Sequence, residues 1–270
     1  MTMPGNEFLE RTTQGYGAYL CIRSTGGRVD AAGLGALCER VGLANEFDGR
    51  APKGESVAFL RAQRATAGAI ADDDVLHADW VIHVAARGQG LVEAFCDDAA
   101  KLLAPAARVR VLAGVVGTKN YTGAAMNNWA YARAVVQHPG SLMPNAFLAP
   151  QSKTADWWRK GWMERHTYFL PRYDEHGRVA SEGHALAAAE GIACLLRRTY
   201  RHPVEPAPEG TYDFVSYFEC ADADVPTFHE VCAALRDVER NPEWRFVREG
   251  PMWHGHRVAS ARELFASIAL

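Results

Sequence analysis

Short β-patterned runs alternate with amphipathic helical runs twice along this chain, and that order restricts it to a mixed α+β class. Gly15 to Ile22 is aromatic and β-branched and reads as a strand. Ala31 to Val41 is helical in pattern, with Leu34, Leu37, Cys38 and Val41 on one face. Ser56 to Ala67 reads as a second short helix and Trp80 to Ala85 as a strand. Leu91 to Leu103 reads as a helix and Val109 to Val116 as a strand. The first 120 residues are therefore β-α-(α)-β-α-β, the order of a ferredoxin-like unit. An irregular stretch follows, with one strand expected near Ala132 to Gln137. The logic then repeats. Helices are expected over about Glu182 to Gly191 and Val225 to Val238, and strands over Ala193 to Arg201, Thr211 to Glu219 and Trp244 to Arg248. The expected division is an N-terminal ferredoxin-like half at 15–120, a connecting segment at 121–150 and a C-terminal half at 151–270.

Composition narrows the function classes. With 270 residues, 48% hydrophobic and 23% charged, the chain can bury an ordinary core. A net charge of −3 gives no basic footprint, so neither a nucleic-acid partner nor an anionic membrane is expected. No run approaches the roughly 18 apolar residues of a membrane helix. The N-terminus has no basic start followed by an apolar stretch, and a cytoplasmic protein is expected. The six cysteines form no C-x-x-C and sit in apolar surroundings, as buried thiols do.

Chemistry-bearing residues gather between Gln151 and His202. Lys153 stands beside the Trp157-Trp158 pair, His184 opens a mostly apolar run, and Arg197-Arg198 closes it. Taken singly, such a histidine is usually a cap, such tryptophans core, and such arginines solvated. Together they can bring a histidine and an arginine to face one pocket. His166, His176, His254 and His256 are not expected to form a metal site.

Four stretches, in order, resemble the chlorite dismutase family of heme proteins. They are Leu112-Ala-Gly-Val-Val-Gly-Thr-Lys-Asn-Tyr121, Ser152-Lys-Thr-Ala-Asp-Trp-Trp158, Gly183-His-Ala followed by Arg197, and Tyr212-Asp-Phe-Val-Ser-Tyr-Phe-Glu219. Leu235-Arg-Asp-Val-Glu239 and Gly250-Pro-Met-Trp-His-Gly255 follow the last. The resemblance implies a dimeric α+β barrel made of two ferredoxin-like halves, and a heme b cofactor. It implies His184 as the proximal iron ligand, with Glu239 accepting a hydrogen bond from its other ring nitrogen. It implies Arg197, thirteen residues on, as the distal arginine, with Arg198 turned the other way by strand alternation. Asn120, Tyr121, Lys153 and Trp157 would line the heme edge and hold its propionates.

The activity implied is an oxidoreductase cleaving the O–O or Cl–O bond of a small oxidant, in a homo-oligomer with a pentamer favoured. The segment from Trp158 to His184 is longer than the family's, and it carries His166 and His176. Coproheme decarboxylases of the family place a catalytic tyrosine where this chain has Ala149. Two other readings stay open: a heme enzyme oxidising one small organic or nitrogenous substrate in a biosynthetic pathway, and a non-enzymatic heme-binding protein.

Overall fold

Residues 15–45, 55–116 and 143–266 are described by the computed structural model. The N-terminal half runs β1 (Gly15–Ser24), α1 (Ala31–Arg40), β2 (Ala44–Asn45), β3 (Ser56–Thr66), α2 (Asp73–Leu76), β4 (Trp80–Ala86), α3 (Gln89–Leu103) and β5 (Ala107–Val116). Asp30 starts α1 because its carboxylate accepts from the Gly33 N–H at 2.8 Å. The helices lay Leu34, Leu37, Phe95 and Ala99 on the outer sheet face, against Leu20, Ile22 and Ile82. The alternate residues Tyr19, Cys21 and Val81 point into the barrel. Strand β1 is therefore buried on both faces, which hides a period of two.

The same burial explains one overturned expectation. Ser56 to Ala67 is not a helix: Ser56–Thr66 is strand β3. Val57 and Phe59 pack under the helices while Leu60 joins the barrel interior, so apolar residues follow one another without strand alternation.

The C-terminal half runs β6 (Asn145–Lys153), α4 (Ala155–Arg159), α5 (Trp162–Thr167), β7 (Arg172–Tyr173), β8 (Val179–Ser181), α6 (Gly183–Ala187), β9 (Leu196–Arg201), β10 (Phe214–Cys220), α7 (Val225–Arg236), β11 (Val247–Glu249), β12 (Met252–Val258) and α8 (Ala261–Phe265). Its strands lie in the order β12-β6-β10-β9, and those of the first half in the order β3-β4-β1-β5. Each half is thus one ferredoxin-like sheet. The halves join where β12 pairs with β3 and where Val115 of β5 meets Arg201 of β9. The β10–β6 pairing completes the ring, giving an eight-stranded antiparallel barrel with helices outside. The fold is the dimeric α+β barrel, with both halves in one chain.

Other boundaries shift. The expected boundary at residue 150 falls inside β6. The helix expected over Glu182 to Gly191 is shorter: α6 gives way to a 3-10 turn at Ala189–Ala193. Trp244 to Arg248 is mostly a 3-10 turn, Pro242–Phe246, ahead of the short β11. The closing barrel strand is β12, interrupted by a bulge at His254/Gly255. The strand expected near residues 132–137 lies outside the described residues. The six cysteines are unpaired; Cys194 is half-buried and the others are buried. No helix among the described residues is long and apolar enough to cross a membrane.

Gly183, at the start of α6, has φ +63°, and a Cβ there would come within 2.5 Å of the Leu170 carbonyl oxygen. Both facts require glycine. Gly183→Ala is expected to lower stability by about 1–3 kcal/mol, read by urea denaturation. A loss below about 0.5 kcal/mol, the scale of an indifferent surface change, would contradict the placement of this turn.

Candidate functional site

Alternation along the C-terminal sheet decides which side chains can share a site. Phe147 packs against Phe228 of α7 on the outer face of β6. Lys153, six residues on, is on that face too. Its Nζ donates to Glu243 Oε1 at 2.5 Å, and the opposite oxygen of Glu243 accepts from His184 Nδ1 at 2.8 Å. The Lys153 and Glu243 side chains are only 5% and 4% exposed. Lys153 therefore has no water to rely on. The Trp157 ring lies 4.5 Å from its Nζ and supplies a cation–π contact.

Electrostatics follow from this geometry. Burial alone would raise the Glu243 carboxyl, but Lys153 and His184 outweigh it and hold Glu243 well below the usual carboxylate range. Burial lowers the Lys153 ammonium from its ordinary value, with Glu243 pulling the other way. Glu243 is thus an ionised carboxylate and can only accept, so His184 Nδ1 carries the shared proton. Any metal bound by this histidine would sit on Nε2.

The backbone holds the histidine in place. The Arg240 carbonyl accepts from both Glu182 N and Gly183 N, at 2.9 and 3.0 Å. The Tyr168 and Phe169 carbonyls accept from His184 N and Ala185 N. Arg240 also forks onto the Glu182 carboxylate. The two segments that carry His184 and Glu243 are therefore tied to each other directly.

The expected carboxylate is corrected here. Glu239 is 85% exposed and pairs with Arg245; Glu243, four residues on, occupies the place beside His184. Asp237 explains the difference: its carboxylate caps Glu239 N and Arg240 N, forming a tight turn that leaves Glu239 in solvent. The chain then folds Glu243 back over the end of β6. A sequence signal existed, since Asn241-Pro-Glu-Trp244 places an acid between a turn and a large apolar residue. Lys153, expected at the heme edge, donates to the same Glu243. Trp157 is fully buried among Tyr168, Phe169 and Phe246 and forms the wall behind Lys153. Asn120 and Tyr121 lie outside the described residues.

Arg197 lies on the outer face of β9, with its Nε donating to Thr199 Oγ1 at 3.2 Å. Arg198 points the other way, into the barrel, where its Nη1 donates to His83 Nδ1 at 3.2 Å. Across the outer face Thr199 pairs with Ser216 and Ser216 with Ala149, a row of small side chains. Phe147 and Phe218 bound it on one side, Phe214 and Trp158 on the other. The structure thus brings Lys153, His184 and Arg197 to one face, with small residues at its centre. His176 is exposed at the tip of the β7–β8 hairpin, and His166 is on α5. Among the described residues, no group of three or more His, Cys, Asp or Glu is arranged to hold a metal ion.

No protein-family model and no curated protein sequence matches the chain. Solved structures do. Chlorite dismutase from Candidatus Nitrospira defluvii in complex with imidazole aligns with a TM-score of 0.66 at 18% identity, covering 98% of this chain and 99% of that one. A tryptophan-to-phenylalanine variant of the same enzyme, in complex with cyanide, gives 0.66 at 18% identity over 99% and 100%. An arginine-to-alanine variant gives 0.64 at 18% identity over 98% and 99%. The described residues have the chlorite dismutase fold.

The ion chain at this site can be tested without a cofactor. Lys153→Met strands Glu243 and is expected to cost about 3–5 kcal/mol in urea unfolding; adding Glu243→Gln should recover much of it. The carboxyl lies low in the folded protein, so its contribution is present above the unfolded value of about 4.3 and lost as pH falls below that. In Lys153→Met the folded carboxyl titrates higher, so the part of the stability that acid removes should shrink. An unchanged acid limb would mean that Lys153 does not set the charge of Glu243.

Proposed function

We propose that this chain is a heme b-dependent oxidoreductase of the chlorite dismutase type, acting on a small oxidant. One observation carries the reading: a histidine polarised by a buried, ionised carboxylate shares a sheet face with an arginine. The donor set fits heme. A single imidazole with an anionic hydrogen-bond partner is the proximal arrangement heme iron takes in many enzymes. The small row Thr199, Ser216 and Ala149 suits a flat ring held against the sheet. The solved chlorite dismutase structures with imidazole and with cyanide, two bases that bind metals, support the same assignment.

In this reading His184 holds the iron through Nε2, and Glu243 with Lys153 sets its orientation and basicity. When bound, heme supplies the electrons for cleaving an O–O or Cl–O bond. The protein supplies charge and position. Arg197 is always cationic and offers its planar fork to an anionic oxidant or to the oxyanion that leaves. Ala149 offers no phenol, so the tyrosine chemistry of coproheme decarboxylases has no residue at that position.

Titration of the purified chain with hemin, followed at the Soret band, tests the assignment. The wild type should bind one equivalent tightly, and His184→Ala should lose that binding. Arg197→Ala should keep heme and slow the reaction with peroxide or chlorite by about 10²-fold, with partial recovery in Arg197→Lys. Arg198→Ala should leave that rate unchanged. Normal heme binding by His184→Ala, or equal losses at Arg197 and Arg198, would refute the proposal.

A further inference from the structure

A cavity of about 320 Å³ opens beside α7, and none of His184, Lys153, Glu243 and Arg197 lines it. Three elements bring basic side chains to it. Arg64 of β3 and His254 of β12 are paired across the seam between the halves. His229 and Arg236, seven residues apart on α7, lie on one helical face. Phe147 and Met252 contribute apolar lining.

The charges do not cancel. Arg236 forks through Nε and Nη2 onto both oxygens of Glu249, the carboxylate among the described lining residues, at 2.8–3.2 Å. Arg64 Nη2 instead donates to His229 Nε2 at 3.0 Å. A guanidinium only donates, so His229 accepts and is neutral. Burial lowers His229, and Arg64 and Arg236 lower it further. His254 is brought to about 4 by burial, then by Arg64, His229 and His256. Among the described lining residues Arg236 is thus matched by Glu249 and the imidazoles are neutral, which leaves the Arg64 guanidinium with an imidazole rather than a carboxylate as its partner.

We infer that this cavity is a binding site for a small organic carboxylate, its anionic head held by Arg64 and His229 and its apolar body against Phe147 and Met252. The volume is at the lower end of the roughly 300–1,000 Å³ of small-molecule sites, which fits a small acid. The carboxylate replaces the Arg64–His229 contact and accepts from the guanidinium fork. His229 takes a proton from solvent and donates through Nε2 to the other oxygen. Binding therefore takes up a proton and weakens as pH rises through the His229 value of the complex. The charged and titratable groups around His229 are Arg64 on β3, Arg236 on its own helix, Glu249 on β11, and His254 with His256 behind it on β12. This inference stands apart from heme binding.

Benzoate and benzyl alcohol are suitable probes, because they share a ring and differ in charge. NMR signals of the His229 ring in the full chain should shift saturably with benzoate, with the His229 pKa raised in the complex, and should not respond to benzyl alcohol. Arg64→Gln should weaken benzoate binding by about tenfold or more, and Arg64→Lys, which keeps the charge, by less. Arg64 is exposed, so both variants are expected to fold. His184→Ala should bind benzoate as the wild type does, which separates this site from the one that contains His184. Equal binding of benzyl alcohol, no saturable shift, or an unaltered affinity in Arg64→Gln would overturn the inference.

Discussion

A carboxylate sealed inside a protein must be protonated or be matched by positive charge, and Glu243 is matched by Lys153 on one oxygen and His184 on the other. Much of the C-terminal half can be understood as what this arrangement requires. Removing two charges from water costs several kcal/mol per ion even after relaxation, so the pair persists only where the backbone fixes its geometry. Gly183, the Arg240 carbonyl and the Tyr168–Phe169 carbonyls do that for the histidine. Trp157 and its aromatic neighbours close off the lysine. The reward is chemical: an imidazole with one fixed tautomer and extra basicity.

Strand β9 then separates two neighbouring arginines by simple alternation. Arg197 stays on the outer face with the histidine. Arg198 enters a barrel interior that is unusually polar. There His83 accepts from Arg198 and its other nitrogen meets Tyr200 Oη at 2.8 Å, while Glu219 accepts from Tyr217 and Arg257. His83 belongs to β4 of the first half, so these contacts tie the two halves across the barrel. A one-residue slip of β9 would expose the interior network and bury Arg197 in it, which makes the register costly to change.

Much of this was legible in the sequence. The repeated strand and helix pattern implied two ferredoxin-like halves, and the resemblance to the chlorite dismutase family singled out His184 and Arg197 as candidates. What the sequence hid has physical causes. Strand β3 is buried on both sides and so lacks alternation. Strand β12 carries His254-Gly-His256 at a bulge and does not look like a core strand. Glu239 and Glu243 are both acids near the end of a helix, and only the Asp237 turn decides which one faces inward. Lys153 looked like a partner for an external anion, because nothing local announces a buried carboxylate ninety residues away.

The central claim is that ionised Glu243 holds the proton of His184 on Nδ1 and so fixes the tautomer of the ring. Nitrogen-15 NMR of the His184 ring in the cofactor-free protein, near pH 8, tests this directly. The account predicts a protonated Nδ1 and an unprotonated Nε2, with that preference lost in Glu243→Gln. A ring protonated at Nε2 in the wild type, or a tautomer indifferent to Glu243→Gln, would contradict it.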